Sequence, residues 1–470
     1  MRTLVLSLAF LLTALCGAHA QEDVTIKVKL KGGPTDRYIH LAHFFGNNQY
    51  LKVDSAKLEN GYYTFTKPDS VVGGIYLVVL TPSKYYDFIV SGDEKNIEIS
   101  ADTTDFLKTV MVKGSKENNI LFGYRKFLTG MNEKAKAIND AIDPKAPNAN
   151  QQRREKMMEL QQEVEDYMAK TIEDNKGTFA AKVIKANIDP VIPKEIPLNP
   201  DGTKDSTFAY RYYKAHFFDN IDFSDARTLR TPFLENKLDK FFKDLVYQVA
   251  DSVNKEADIL INLSKQNPEV YRYVLWKITN KYENTDIVGL EGVFVHLAEE
   301  YYVKDAPWLT EEKVKEFEDR VRILKPLLTG KVFPELYVYD LQDKLHTVSE
   351  SKGKYTIVYF YSPDCGHCKD AAPELVEYAK TAKEKGVVIY NVSVDYEPTE
   401  IKEFIEKYHT GENMMNLWDK GHHHYFRENY DVYATPTSYI LDANKKIIAK
   451  RIPIKEFDKF IEFYERKPKS

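Results

Sequence analysis

The spacing of apolar residues changes twice along this chain, and each change marks a different kind of structure. From Val24 to Val112 the period is two: Val24, Ile26, Val28 and Leu30 alternate with polar residues, as do Ile97 and Ile99. Residues two apart line one face of a strand, so such runs read as half-buried strands. Turn-forming clusters separate them at Gly32-Gly33-Pro34, Gly46-Asn47-Asn48, Asn60-Gly61 and Gly73-Gly74. An all-β sandwich is expected over 21–115. After Gly114-Ser115 the period becomes helical, with Met157, Leu160, Val164, Tyr167, Met168 and Ile172 recurring on one face, and later Val314, Phe317 and Val321. A helical domain is expected over 116–328, broken by the Pro-rich 190–200 stretch and near Pro307 and Pro326.

The last segment, 329–470, alternates the two patterns. Tyr355–Tyr361 and Val387–Val394 are β-rich runs of the buried type, with a helix after Cys365 between them. A helix at Glu400–Tyr408, strands at Thr437–Leu441 and Ile447–Ala449 and a closing helix at Glu456–Arg466 complete an α/β order. The chain is therefore expected to be multidomain: sandwich, helical middle, α/β end.

The N-terminus has the form of a secretory signal, 1–20. Arg2 is its basic end, Leu4–Leu12 an apolar run too short to span a bilayer, and Ala18-His19-Ala20 a small-x-small cleavage site. Cys16 raises lipid attachment as a rival, but Leu15 stands where a small residue is normally required. No later stretch is apolar for long enough to cross a membrane, so the mature protein is expected to be soluble outside the cytoplasm. Lys and Arg number 66 against 71 Asp and Glu, a net charge of −5, which argues against nucleic acid as a partner.

Of three cysteines one departs with the signal, leaving Cys365 and Cys368. An exported chain with no disulfide framework and two thiols three positions apart has a chemical use for them. At the start of a helix, Cys365 meets backbone N–H groups without partners and the positive end of the helix dipole, both of which favour thiolate. That makes Cys365 the nucleophile. Cys368, one turn on, can attack the mixed disulfide that Cys365 forms with a substrate.

The run from Val358 through Cys365-Gly366-His367-Cys368 to Pro373 resembles the active site of the thioredoxin superfamily, and Tyr433-Ala434-Thr435-Pro436 resembles its cis-proline strand. The resemblance implies a thioredoxin fold for 329–470, catalytic Cys365 and Cys368, and support from Gly366, His367, Pro373 and Pro436. It also implies that the backbone of Thr435 receives a substrate peptide as an added strand. Pro373, which has no N–H to give, should kink the helix. From Gly330 onward the chain is similar to TlpA- and ResA-like thiol-disulfide oxidoreductases, with Lys331-Val-Phe-Pro-Glu-Leu336 at the place of their extra N-terminal strands and Asp395 after the second core strand. The two upstream segments resemble uncharacterised modules that accompany such domains. Two departures stand out. Tyr359 occupies the position of the buried acid that many thioredoxins carry six residues before the first Cys, and Ala371 the acidic position found in TlpA- and ResA-like proteins, so no proton acceptor is assigned and Asp364, Asp370 and Glu374 are the nearby alternatives. Asp364, directly before the nucleophile, should oppose its ionisation by like charge.

Other chemistries fit less well. A zinc site would need His422, His423 and His424 to complete Cys-x-x-Cys, and a solvated loop is the expectation for those three. Haem attachment needs His where Lys369 stands, and no Pro-x-x-x-Thr-x-x-Cys peroxidatic signature occurs. The function expected is that of a periplasmic reductase or isomerase with no cofactor or metal beyond its own Cys pair. Its partners would be disulfide-containing exported proteins and a membrane thiol reductase. The rivals are a scaffold protein with a regulatory redox pair and a dithiol oxidase.

Overall fold

A computed structural model describes residues 24–466 apart from 47–48, 68–71, 144–147, 284 and 286. The expected signal, with Cys16, lies outside the described residues. The chain forms two compact units, one running to Leu245 and including Ser264–Val270, the other comprising Val246–Leu263 and Tyr271 onward. The expected helical domain 116–328 is thus divided between them.

The first unit opens with β1 (Val24–Lys31), β2 (Ile39–Phe44), β3 (Tyr50–Ala56), β4 (Leu58–Glu59), β5 (Tyr62–Lys67), β6 (Gly74–Thr81), β7 (Lys84–Val90), β8 (Asn96–Asp102), the short helix α1 (Phe106–Thr109) and β9 (Met111–Lys113). These form a five-stranded sheet ordered β4-β5-β1-β8-β9 and a four-stranded sheet ordered β3-β2-β6-β7. Val24, Ile26 and Val28 of the first pack with Ile39, Leu41, Val78 and Phe88 of the second, which makes the expected sandwich. It is not purely antiparallel, because β1 runs parallel to β8. Strand β6 is buried along nearly its whole length. Its second face and that of β7 are covered by helical residues, Ile75 and Ile89 packing with Leu121, Phe179 and Val183.

The helices of this unit are α2 (Lys116–Ala141), α3 (Ala149–Asp174), α4 (Phe179–Ala186), α5 (Phe208–Ala215) and α6 (Phe233–Lys240). Helix α2 starts where the period changes, because the Ser115 hydroxyl accepts the Asn118 N–H. The Asn118 side chain then bonds both backbone groups of Ile89, at 2.8 and 2.7 Å, fixing α2 to β7. Glu117 accepts the N–H groups of Phe179 and Ala180 at 3.0 and 2.6 Å, so a buried carboxylate holds the start of α4.

The second unit carries most of α7 (Ala250–Ser264) and α8 (Pro268–Glu283), then α9 (Glu291–Leu297) and α10 (Glu311–Leu324). Its strands are β10 (Tyr337–Tyr339), β11 (Leu345–Thr347), β12 (Tyr355–Tyr361), β13 (Val387–Ser393), β14 (Met415–Trp418), β15 (Thr437–Leu441) and β16 (Ile447–Lys450). Helices α11 (Gly366–Ala382), α12 (Pro398–Tyr408), α13 (Phe426–Tyr430) and α14 (Phe457–Arg466) alternate with them. The sheet order is β11-β10-β14-β13-β12-β15-β16, with β12 parallel to β13 and antiparallel to β15, as a thioredoxin-like fold requires. Central β12 is buried throughout. Tyr355, Ile357, Tyr359 and Tyr361 face the core under α11, while Val358 and Phe360 face the opposite core. The extra strands do not lie at Lys331–Leu336. That segment makes one bridge, Val332 to Lys446, and the β10–β11 hairpin follows it. Pro334 interrupts the run and cannot donate to a ladder.

Candidate active site

The β12 strand ends at Tyr361, and the turn after it is held from the side. Ser362 donates its hydroxyl to Asp395 at 2.6 Å and accepts the Asp364 N–H at 3.2 Å, while its carbonyl accepts the Cys365 N–H at 3.2 Å. Asp395, just beyond β13, thereby fixes the turn that presents the first cysteine. Cys365 is the N-cap of α11, with extended backbone, and Gly366 and His367 form the exposed first turn. Helix α11 runs on through exposed Pro373 to Ala382.

Both cysteines are free thiols in unlike surroundings. Cys365 is half-buried, and its Sγ donates to the Thr435 carbonyl at 3.1 Å. Burial alone would raise its pKa. Hydrogen bonds from the Thr435 side chain, from Cys368 and from the N–H groups of Cys368 and His367 outweigh burial and hold the thiol below its ordinary value. Asp364, directly before this thiol, is exposed. Cys368 is 2% exposed, and burial first, then the neighbouring Cys365, pushes it up to about 12.

Thr435 and Pro436 are joined by a cis peptide bond and lie half-buried before β15. The loop that carries them is anchored at Asp431, whose side chain is fully buried and pairs with Arg320 of α10 and with Arg451 at 2.5 Å. Arg320 also sits over the ring of exposed Tyr433, 5.4 Å from its centroid. Sequence patterns did not reveal Arg320, since one basic residue on an amphipathic helix has no distinguishing signal.

The three histidines part company. His422 is exposed and packs on Tyr396 at 3.9 Å, His423 is exposed, and His424 is buried. His424 accepts the Tyr337 N–H at 3.0 Å through Nε2 and so joins the β10 hairpin to the core, which corrects the expectation of a solvated loop. Among the described residues no group of three or more His, Cys, Asp or Glu is arranged to hold a metal. No described helix is long and apolar enough to cross a membrane.

Tyr359 lies under α11, 4% exposed, in the cluster that contains Cys365 and Cys368. Burial, then the charges of Cys368, Glu374 and Cys365, raise its phenol far above the usual range, so it stays protonated. The residue at the position of the family's buried acid is therefore not a base.

Comparison with known proteins agrees with this geometry. Residues 329–450 match the AhpC/TSA family, 24–121 a domain of unknown function (DUF4369) and 145–325 another (DUF5106). The thiol-disulfide oxidoreductase ResA of Bacillus thuringiensis strain Al Hakam is 30% identical over 123 residues, covering 26% of this chain and 69% of that protein. Among solved structures, a domain of a possible thiol-disulfide isomerase from Cytophaga hutchinsonii is 37% identical, with a TM-score of 0.29, covering 30% of this chain and 95% of its own. A thioredoxin-like protein from Bacteroides caccae is 14% identical, with a TM-score of 0.46, covering 58% of this chain and all of its own. With a Cys-x-x-Cys pair at the head of α11 and this sequence kinship, the chain belongs to the family of TlpA/ResA-like thiol-disulfide oxidoreductases.

Proposed function

We propose that the protein is an exported, periplasmic reductase or isomerase of disulfides in other exported proteins, with Cys365 as nucleophile and Cys368 as resolving thiol. The observation that carries this is the asymmetry of the pair: a reachable Cys365 held below the ordinary thiol pKa, beside a Cys368 that is buried and pushed up to about 12. The Cys365 thiolate attacks one sulfur of a substrate disulfide, and the other substrate sulfur leaves as a thiolate that takes a proton from solvent. Cys368 then attacks Cys365 Sγ, the bond to the substrate breaks, and the enzyme keeps a Cys365–Cys368 disulfide. Two electrons have passed to the substrate, so the pair itself is the only cofactor. Backbone N–H groups of His367 and Cys368 stabilise the thiolate, with Gly366 giving open access at the helix start.

Thr435 offers its backbone to the substrate, while Pro436 and Pro373 shape the two sides of the site. Regeneration falls to a membrane thiol reductase, and the segments 21–115 and 116–328 position substrate or that partner. A Cys368→Ser variant should accumulate mixed disulfides through Cys365 with exported proteins. Trapping through Cys368 in a Cys365→Ser variant at equal yield would overturn the roles. Equilibration with glutathione decides direction: a potential near −120 mV would make the protein a dithiol oxidase, whereas about −180 mV or lower fits isomerase or reductase. Absence of turnover with an intact pair would favour a scaffold with a regulatory disulfide.

A further inference from the structure

Resolution requires Cys368 to become a thiolate inside the core, where burial opposes charge. The cluster under α11 holds three tyrosines with buried hydroxyls that lack a partner among the described residues, Tyr359, Tyr361 and Tyr378, and only for Tyr359 is Cys368 the foremost neighbouring charge. Tyr359 projects from central β12 into the cluster of Cys365, Cys368 and Ala372. Its hydroxyl is fully buried and has no hydrogen-bond partner among the described residues. A buried donor without a partner is costly, and a phenylalanine would fill the same space without that cost. Such a donor is useful if its acceptor is formed only during the reaction, since a preorganised donor stabilises charge as it develops.

We propose that Tyr359 is a held-back donor whose Oη–H bonds the Cys368 thiolate as it forms during resolution. The phenol keeps its proton throughout, so it donates and never acts as the base. The proton of Cys368 leaves with the departing substrate thiol. One S–S bond forms between Cys368 and Cys365, one breaks between Cys365 and substrate, and no outside oxidant enters. Tyr361 provides an internal comparison. It lies on the same face of β12 with an unpartnered buried hydroxyl, but the charge acting on it most strongly is Asp395, with Cys368 second.

This inference rests on the roles proposed for the two cysteines, and the test separates the two. The reduced full-length protein is mixed with a chromogenic aryl disulfide. The first coloured thiolate reports attack by Cys365 and the second reports resolution by Cys368. In Tyr359→Phe the first phase should stay within about twofold of the parent and the second should slow by about tenfold, the scale of a hydrogen bond to a charged group. The slowed phase should recover as pH rises, and thermal unfolding should be unchanged or later. Tyr361→Phe should leave both phases within about twofold. An unchanged second phase in Tyr359→Phe, or equal slowing in Tyr361→Phe, overturns the inference. Full release of the second equivalent by Cys368→Ser would instead overturn the cysteine roles on which it rests.

Discussion

The Sγ of Cys365 lies 3.1 Å from the carbonyl oxygen of Thr435, seventy residues away in sequence. This contact joins the head of α11 to the start of β15, and it exists only while Cys365 carries its proton. Once the thiol ionises, the carbonyl becomes a repulsive neighbour and the N–H groups of His367 and Cys368 take over.

The two thiols should separate in alkylation. Cys365, below the ordinary thiol value, should react first near neutral pH, and its rate should fall as pH drops through that lowered pKa. Cys368 should remain unlabelled in the native protein until pH approaches its raised value of about 12. Mass spectrometry of partly alkylated protein checks the order, and equal labelling would contradict it.

Acid should loosen the β10 hairpin through His424. Its Nε2 accepts the Tyr337 N–H, which the doubly protonated ring cannot do. Burial, the largest influence, and His423 lower its pKa, while Asp419 opposes them. A lowered histidine pKa favours the neutral ring in the folded state. The stability it contributes is therefore complete above the unfolded value near 6.5 and is lost as pH falls through the folded value. Between pH 7.5 and pH 5 the parent should lose more unfolding free energy than His424→Phe, measured by urea titration.

Glu291 should matter more than a surface carboxylate. It accepts the N–H and hydroxyl of Thr329 at 3.0 and 2.7 Å and lies 3.6 Å from Lys450, whose side chain is only 8% exposed. Glu291→Ala leaves that ammonium buried without its counter-charge, an expected loss of roughly 3–5 kcal/mol. Glu291→Ala combined with Lys450→Met should recover much of it. Chemical unfolding of the two variants decides whether the pair is coupled.

Removing Arg320 should affect the loop before β15 more than the thiols. Asp431 would keep Arg451 as its partner, but Tyr433 would lose the guanidinium above its ring. Arg320→Ala should therefore slow mixed-disulfide formation with protein substrates several-fold, while the pH dependence of Cys365 alkylation stays unchanged. A shifted alkylation profile would mean that Arg320 acts on the thiol instead.

A truncation to 329–470 would remove both Glu291 and Arg320 from this unit. The α/β segment is therefore expected to be markedly less stable alone than with the helical residues from about 271 onward. Thermal unfolding of the two fragments compares them directly.

Much of this molecule follows from short-range pattern. Alternation at Val24–Leu30 marks β1, the change of period after Ser115 marks the start of α2, and the β-rich run Tyr355–Tyr361 marks a central strand. The Cys365–Cys368 spacing at a strand-to-helix turn specifies the site because the chemistry needs only a helix start and one further turn. These features depend on neighbours within a few residues, so the sequence by itself determined them. The parallel pairing of β1 with β8, the division of 116–328 between two units, the burial of His424 and the pairing of Arg320 with Asp431 did not follow from it. Each joins residues far apart in the chain, and local spacing carries no information about which distant partner closes on which face. Tyr359 shows the division most plainly: its position on the inner face of β12 is a matter of period two, but only packing under α11 left its hydroxyl without a partner among the described residues, in the cluster that holds Cys368.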